Sequence, residues 1–236
     1  ECIGNRPEGA LLSSAAFTGP RLRDVLREAG VSAHAHGVRA LGLDGFPAHL
    51  PITVLDQDDA LIALAMNGED LDELHGSPAR LLLPGRYGMF SIKWLDSLTL
   101  TRTWYTWGVG RGVANFADGQ TRVRSQIAPT WDGRTVPVDE PVEITGLAVT
   151  PGRGVARVEV ELDGRWQEAE LTFNTLEDTR GAQLWSLWRV QWTPRAVGTH
   201  VLRVRAFDPA GVTQTEERRF PYDSSAIHSV RVVVRG

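Results

Sequence analysis

Beyond about Leu100 the helix signals stop, and the chain becomes a series of short apolar runs divided by turn residues. Residues 142–149, 156–164, 188–192, 200–208 and 230–234 alternate apolar with polar side chains or run β-branched. A period of two puts every second side chain on one face, so such a segment can only bury itself as a strand against other strands. Several short strands with turns at this spacing predict an antiparallel β-sandwich of about a hundred residues. Of the 8 Trp, all but Trp94 lie in this half, where large flat side chains can fill the space between two layers.

The first hundred residues read differently. Pro20 is expected in the first turn of a short helix that puts Leu22, Val25 and Leu26 on one face and ends at Gly30. Strand-like runs follow at 38–43, with a turn at Asp44 and Gly45, and at 60–66, closed by the tight-turn pair Asn67 and Gly68. Leu81, Leu82 and Leu83 form a further buried strand before Pro84 and Gly85. Helix and strand mix here without a regular βαβ repeat, which predicts an α+β domain over 1–100 and a second, all-β domain over 101–236. Residues 101–141, rich in Gly, Pro and Trp, read as a connection with some irregular strand.

Composition removes several classes. With 42% hydrophobic and 23% charged residues over 236 positions, the chain is neither disordered nor collagenous. A formal net charge of −4 supplies no field for a phosphate backbone, so no nucleic-acid partner is expected. The one cysteine, Cys2, rules out a disulfide framework and a zinc finger. No run reaches the roughly 18 apolar residues of a membrane span. The chain opens on Glu1 rather than Met and lacks the basic-then-apolar start of a signal peptide, so it reads as a fragment.

Most motifs that could carry chemistry are weak. Gly108, Gly110 and Gly112 are not followed by a helix that could meet a phosphate, so they read as a turn. His34 and His36 lack a third metal ligand nearby in sequence, and Ser13, Ser14, Ser224 and Ser225 lack a nucleophile elbow. Cys2 alone reads as a small buried packing residue, and Lys93, the only Lys among 25 basic residues, as a solvated one.

Taken together, six motifs change that reading. Cys2, Gly4, Asn5 and Arg6 are followed by Asp44, Gly45 and Phe46 with Leu50 and Pro51. Next come Asn67, Gly68, Glu69 and Leu71, and then His75, Gly76, Pro78 and Arg80. Pro84, Gly85 and Gly88 lead to Ser91, Lys93, Trp94 and Leu95. In order and spacing this resembles the sulfite oxidase family of molybdenum enzymes. The second half, through residues 158–164, Trp188, Arg205 to Asp208, Gln214 and His228, resembles that family's immunoglobulin-like dimerisation domain.

The resemblance implies an α+β molybdopterin-binding domain, N-terminally truncated here, followed by an all-β immunoglobulin-like sandwich. It implies an oxidoreductase that transfers oxygen atoms, with a molybdenum–molybdopterin cofactor held by the Cys2 thiolate, a soft donor suited to that metal. By the same resemblance Asn5, His75, Arg80, Ser91, Ile92 through its backbone, and Lys93 hold the cofactor, while Cys2, Arg6 and Phe46 stand at the reacting centre. Two positions depart from the family pattern: Pro7 replaces a second Arg, and Phe46 replaces a Tyr. Both losses bear on sulfite as substrate rather than on the cofactor. Arg218 and Arg219 are candidates for an Arg that the second domain contributes.

The implied partners are a small oxyanion or sulfur-oxide substrate, an external cytochrome or other electron carrier, and a second copy in a homodimer. There is no Cys-x-x-Cys-His haem attachment in the chain. Bacterial members of the family are exported or membrane-anchored, which implies a periplasmic or extracytoplasmic location. The alternatives are a sulfoxide reductase of the same superfamily and a non-enzymatic immunoglobulin-like binding module with a degenerate cofactor domain.

Overall fold

The computed structural model describes residues 1–103, 119–150, 154–173, 185–219 and 223–236. The Gly108–Gly112 motif lies outside these described residues. The chain divides into two compact units, the first made of 1–2 and 13–120, the second of 3–12 and 121–236.

In the first unit, strand β1 (Phe17–Thr18) leads to helix α1 (Leu22–Ala29). Leu22 and Leu26 are buried one turn apart, Val25 is half-buried, and Gly30 closes the helix at φ +90° with its N–H on the Arg27 carbonyl. Pro20 precedes the N-cap, Arg21, instead of occupying the first turn. Strands β2 (Gly37–Gly42) and β3 (Pro47–Pro51) form a hairpin around Asp44 and Gly45. Then come β4 (Leu61–Ala63), β5 (Ala65–Met66), β6 (Glu69–Asp70), β7 (Arg80–Leu82) and β8 (Leu95–Thr101). They assemble as three small sheets in the orders β1-β5-β6, β3-β2-β8 and β4-β7. Asn67 and Gly68, at φ +55° and +88°, make the two-residue turn between β5 and β6.

The second unit contains β9 (Arg124–Ile127), β10 (Thr135–Pro137), β11 (Val142–Val149), β12 (Arg157–Leu162), β13 (Arg165–Phe173), β14 (Ser186–Trp192), β15 (Gly198–Phe207) and β16 (His228–Arg235). Hydrogen bonds join them into one eight-stranded sheet, ordered β10-β16-β15-β12-β13-β14-β11-β9. The sandwich arises because this sheet curls: β13 pairs with β12 over Arg165–Ala169 and with β14 from Glu170 onward, where the register shifts between Leu171 and Phe173. One pair, β10 with β16, is parallel, where sequence alternation alone predicts an antiparallel sheet throughout.

Inner faces of both halves meet in one core that includes Ile127, Ile144, Val158, Val160, Trp188, Trp192, Leu202, Val204 and Val232. The alternation is direct: in β14, Ser186, Trp188, Val190 and Trp192 are buried while Leu187, Arg189 and Gln191 are exposed. Asp163 and Gly164, both at positive φ, turn β12 into β13. Gln214, singled out in the sequence, bridges backbone inside this unit, accepting from Ala206 N–H at 3.0 Å and donating to the Ala226 carbonyl at 3.0 Å.

Candidate functional site

In the first unit two chain segments run side by side, and the predicted cofactor residues fall on them. Residues 75–83 lie against 91–95: Leu81 N–H donates to the Ile92 carbonyl, Leu95 N–H to Ala79 and Trp94 N–H to Gly76. Leu83 N–H donates to Ser91 Oγ at 3.3 Å, which leaves the Ser91 hydroxyl proton available. Ile92 is buried.

Close approach of the two segments depends on Gly76. Its φ is +107°, and a Cβ there would stand 2.9 Å from Lys93 Cβ. The β2–β3 turn abuts the same stretch. Leu43 N–H donates to the Trp94 carbonyl, and a Cβ on Gly42 would lie 2.9 Å from the Lys93 carbonyl oxygen. That turn carries Phe46, which is exposed.

The two cationic side chains on these segments are held by carbonyls and aromatic rings. Lys93 Nζ donates to the Leu74 carbonyl at 2.9 Å and sits 4.5 Å from the Trp94 ring centre. Trp94 is itself held at φ +50° and donates through Nε1 to the Glu73 carbonyl. Arg80 donates to the His75 carbonyl at 3.0 Å and lies over the Phe17 ring, but its buried Nε has no partner among the described residues. Burial pushes the Arg80 guanidinium down from its ordinary value, with no carboxylate opposing the shift. Lys93 and Arg80 make no ion pair among the described residues.

The carboxylate just ahead of His75 is already engaged. Asp72 holds His75 Nδ1 with both oxygens, at 2.8 and 2.9 Å, and the same hydrogen bonds keep the Asp72 carboxyl below its usual range. Nδ1 therefore carries the proton, and Nε2 is the free nitrogen. Sequence reading missed Asp72 and Phe17 as supporting groups. The Asp-x-x-His spacing of Asp72 and His75 was the available signal.

Cys2 is exposed, which corrects the reading of a lone buried packing cysteine. The Glu1 carbonyl accepts Gly88 N–H at 2.8 Å, tying the Cys2 stretch to the short 3-10 turn Gly88–Phe90 that runs directly into Ser91. The unit thus combines an accessible soft ligand with donors suited to an anion. Among the described residues no three His, Cys, Asp or Glu side chains gather into a metal ligand set.

Asn5 and Arg6 belong to the second unit. Asn5 is buried and its Oδ1 accepts Arg6 N–H at 3.1 Å and Leu11 N–H at 3.2 Å, organising a loop. The Arg6 side chain is exposed. Arg218 pairs with Glu8 at 2.8 Å, while Arg219 is exposed. His34 and His36 are exposed, and Ser224 and Ser225 are buried. A groove of about 650 Å³ in the second unit, lined by Leu12, Ile127, Leu147, Leu187 and Trp188 among others, contains none of the titratable groups of the first unit's cluster.

The family described as oxidoreductase molybdopterin-binding domain matches residues 1–106, and that described as Mo-co oxidoreductase dimerisation domain matches residues 117–227. Mitochondrial sulfite oxidase of Rattus norvegicus is 33% identical over 210 residues, covering 76% of this chain and 38% of that protein. Nitrate reductase [NAD(P)H] of Hordeum vulgare is 27% identical over 248 residues, covering 87% and 28%. The chain therefore spans well under half the length of these curated relatives. Among solved structures, the sulfane dehydrogenase SoxCD of Paracoccus pantotrophus superposes with a TM-score of 0.75 at 25% identity, covering 97% of this chain and 66% of that one.

Proposed function

We propose, because the chain belongs to the sulfite oxidase family of molybdenum oxidoreductases, that it catalyses oxygen-atom transfer at a molybdenum cofactor, with Cys2 as the protein's ligand to the metal. The observation that carries this reading is the presence, within one unit, of an exposed thiol and a half-buried arginine whose buried Nε has no partner among the described residues. A soft sulfur suits molybdenum, and unopposed cationic donors suit the phosphate on the cofactor's pterin. The cofactor, when bound, supplies the two-electron oxygen-transfer chemistry.

The chain's residues do the rest. Arg80 and Lys93 bind the anionic tail, Arg80 through the Nε–H that has no acceptor among the described residues. His75, fixed by Asp72, offers Nε2 in one orientation, and Ser91 offers a hydroxyl proton. Phe46 provides an apolar wall beside the reacting centre that excludes water and donates no proton. Arg6 draws in an oxyanion or sulfur-oxide substrate. Electrons pass to or from an external cytochrome or similar carrier, and the second unit builds a homodimer through one self-complementary face. By resemblance to bacterial members of the family, the chain works outside the cytoplasm, in the periplasm or anchored to a membrane.

A second reading, sulfoxide reduction, is favoured by two specific positions. Pro7, where the family has an Arg, is buried, and Phe46 has no hydroxyl. Assaying sulfite oxidation and sulfoxide reduction side by side on cofactor-loaded protein separates the two directions. Turnover of neither by protein carrying stoichiometric molybdenum contradicts both.

A further inference from the structure

Strand β9 lies at the edge of the eight-stranded sheet, yet all four of its side chains are buried. Ile127 joins the core, and Ser125 accepts Trp188 Nε1–H at 3.2 Å. The alternate residues, Arg124 and Gln126, are covered by the chain's own residues 5–11. Arg124 donates to the Pro7 carbonyl at 3.3 Å, to the Gly9 carbonyl at 2.5 Å and to Gln126 Oε1 at 2.8 Å. Gln126 Nε2 donates to the Glu8 carbonyl at 3.0 Å. Three successive carbonyls are thus captured by two side chains of one strand face.

From within, the loop is braced by Asn5 and by Gly9 N–H, which donates to the Arg6 carbonyl at 2.9 Å. A Cβ on Gly9 would stand 2.2 Å from Asn5 Oδ1. Glu8 is committed to Arg218, and Asn5 and Pro7 are buried. Arg6, four residues after Cys2 in the chain, is the one cation of this loop, and its exposed guanidinium makes no hydrogen bond or ion pair among the described residues. A buried Arg whose donors satisfy main-chain carbonyls is costly to remove, because the carbonyls lose partners that water cannot replace.

We propose that Arg124 is a positioning residue for the reaction, clamping the 5–11 loop so that Arg6 meets an anionic substrate in a single pose. This rests on the functional reading above. Arg124 and Gln126 spend these donors on loop carbonyls, so the effect of the clamp falls on substrate capture and leaves the chemical step nearly unchanged.

The test compares Arg124→Gln and Gly9→Ala with Arg6→Gln in the full chain. Gly9→Ala disturbs the loop from its inner side and leaves the sandwich core intact, so it serves if Arg124→Gln fails to fold. With sulfite as the probe, both loop variants raise KM about tenfold with kcat within about twofold, and neither adds to the loss in Arg6→Gln. On cofactor-free protein, hydrogen exchange at the Gly9 and Leu11 amides speeds up about tenfold in the loop variants and stays unchanged in Arg6→Gln. Retained protection in both loop variants overturns the clamp. Lost protection with unchanged KM, or a KM rise additive with that of Arg6→Gln, overturns the positioning role. A loaded wild-type chain that turns over no oxyanion overturns the functional reading, and the exchange measurement still decides the clamp by itself.

Discussion

Gly76→Ala puts a methyl group where the two cofactor-binding segments meet. The φ of +107° is a backbone state that costs an L-residue about 1–3 kcal/mol. The new Cβ would lie 2.9 Å from Lys93 Cβ and 3.1 Å from its Cα, so the clash is with the root of the side chain, which cannot swing away. Overpacking of this kind costs about 1–3 kcal/mol more. Gly68→Ala is the matched control: φ is +88°, and nothing lies within 4 Å of the added carbon. The strain of the backbone is then shared and the contact is not. Gly76→Ala is expected to destabilise the first unit by about 2–6 kcal/mol, against about 1–3 kcal/mol for Gly68→Ala. Amide exchange at Trp94, which donates to the Gly76 carbonyl, reads the local opening, and pterin content reads the displaced Lys93. Equal losses in the two variants, with full cofactor retained in both, would refute the idea that close approach of the segments positions Lys93.

Other outcomes follow from the second unit. His228 is buried with Nδ1 accepting Ile127 N–H at 3.1 Å, and burial lowers its pKa from 6.5 to about 4. The unfolded chain binds the proton more readily, so this contribution is full above pH 6.5 and falls by about 3 kcal/mol as pH drops towards 4. Melting curves across that window should show the loss, and His228→Gln should flatten it; an unchanged slope in the variant counts against the assignment. Gly146→Ala would set a Cβ 2.1 Å from the Gln126 carbonyl oxygen and 2.2 Å from the Trp188 ring. With backbone on one side and a core indole on the other, the sandwich should lose about 1–3 kcal/mol or more in chemical denaturation, and no loss would contradict the packing.

Alternation and turn chemistry made the second unit readable. Residues such as Trp188, Val190 and Trp192 declare an inner face, and the Asp163–Gly164 pair declares a hairpin, because both signals are local. The sharing of β13 between two halves and the parallel pairing of β10 with β16 are long-range choices that leave no local mark. The placing of residues 3–12 is hidden for a different reason. Arg124 and Gln126 hold that segment through the carbonyls of Pro7, Glu8 and Gly9, and a carbonyl is the same whatever the side chain. An Arg in an alternating strand reads as a solvated outward residue, and this one is fully buried. At the candidate site the motif order named His75, Arg80, Ser91, Ile92 and Lys93, which the fold brings onto two adjacent segments. It did not reveal how His75 is oriented by Asp72, because Asp72 lies just ahead of the motif.

Metal and pterin analysis of the intact protein from a host that makes the cofactor, alongside its Cys2→Ala variant, bears most directly on the central claim. The account predicts stoichiometric molybdenum with pterin in the native chain, and an altered metal spectrum with lost oxygen-transfer activity in Cys2→Ala. Well-folded native protein without molybdenum, or a Cys2→Ala variant with native spectrum and turnover, would contradict it.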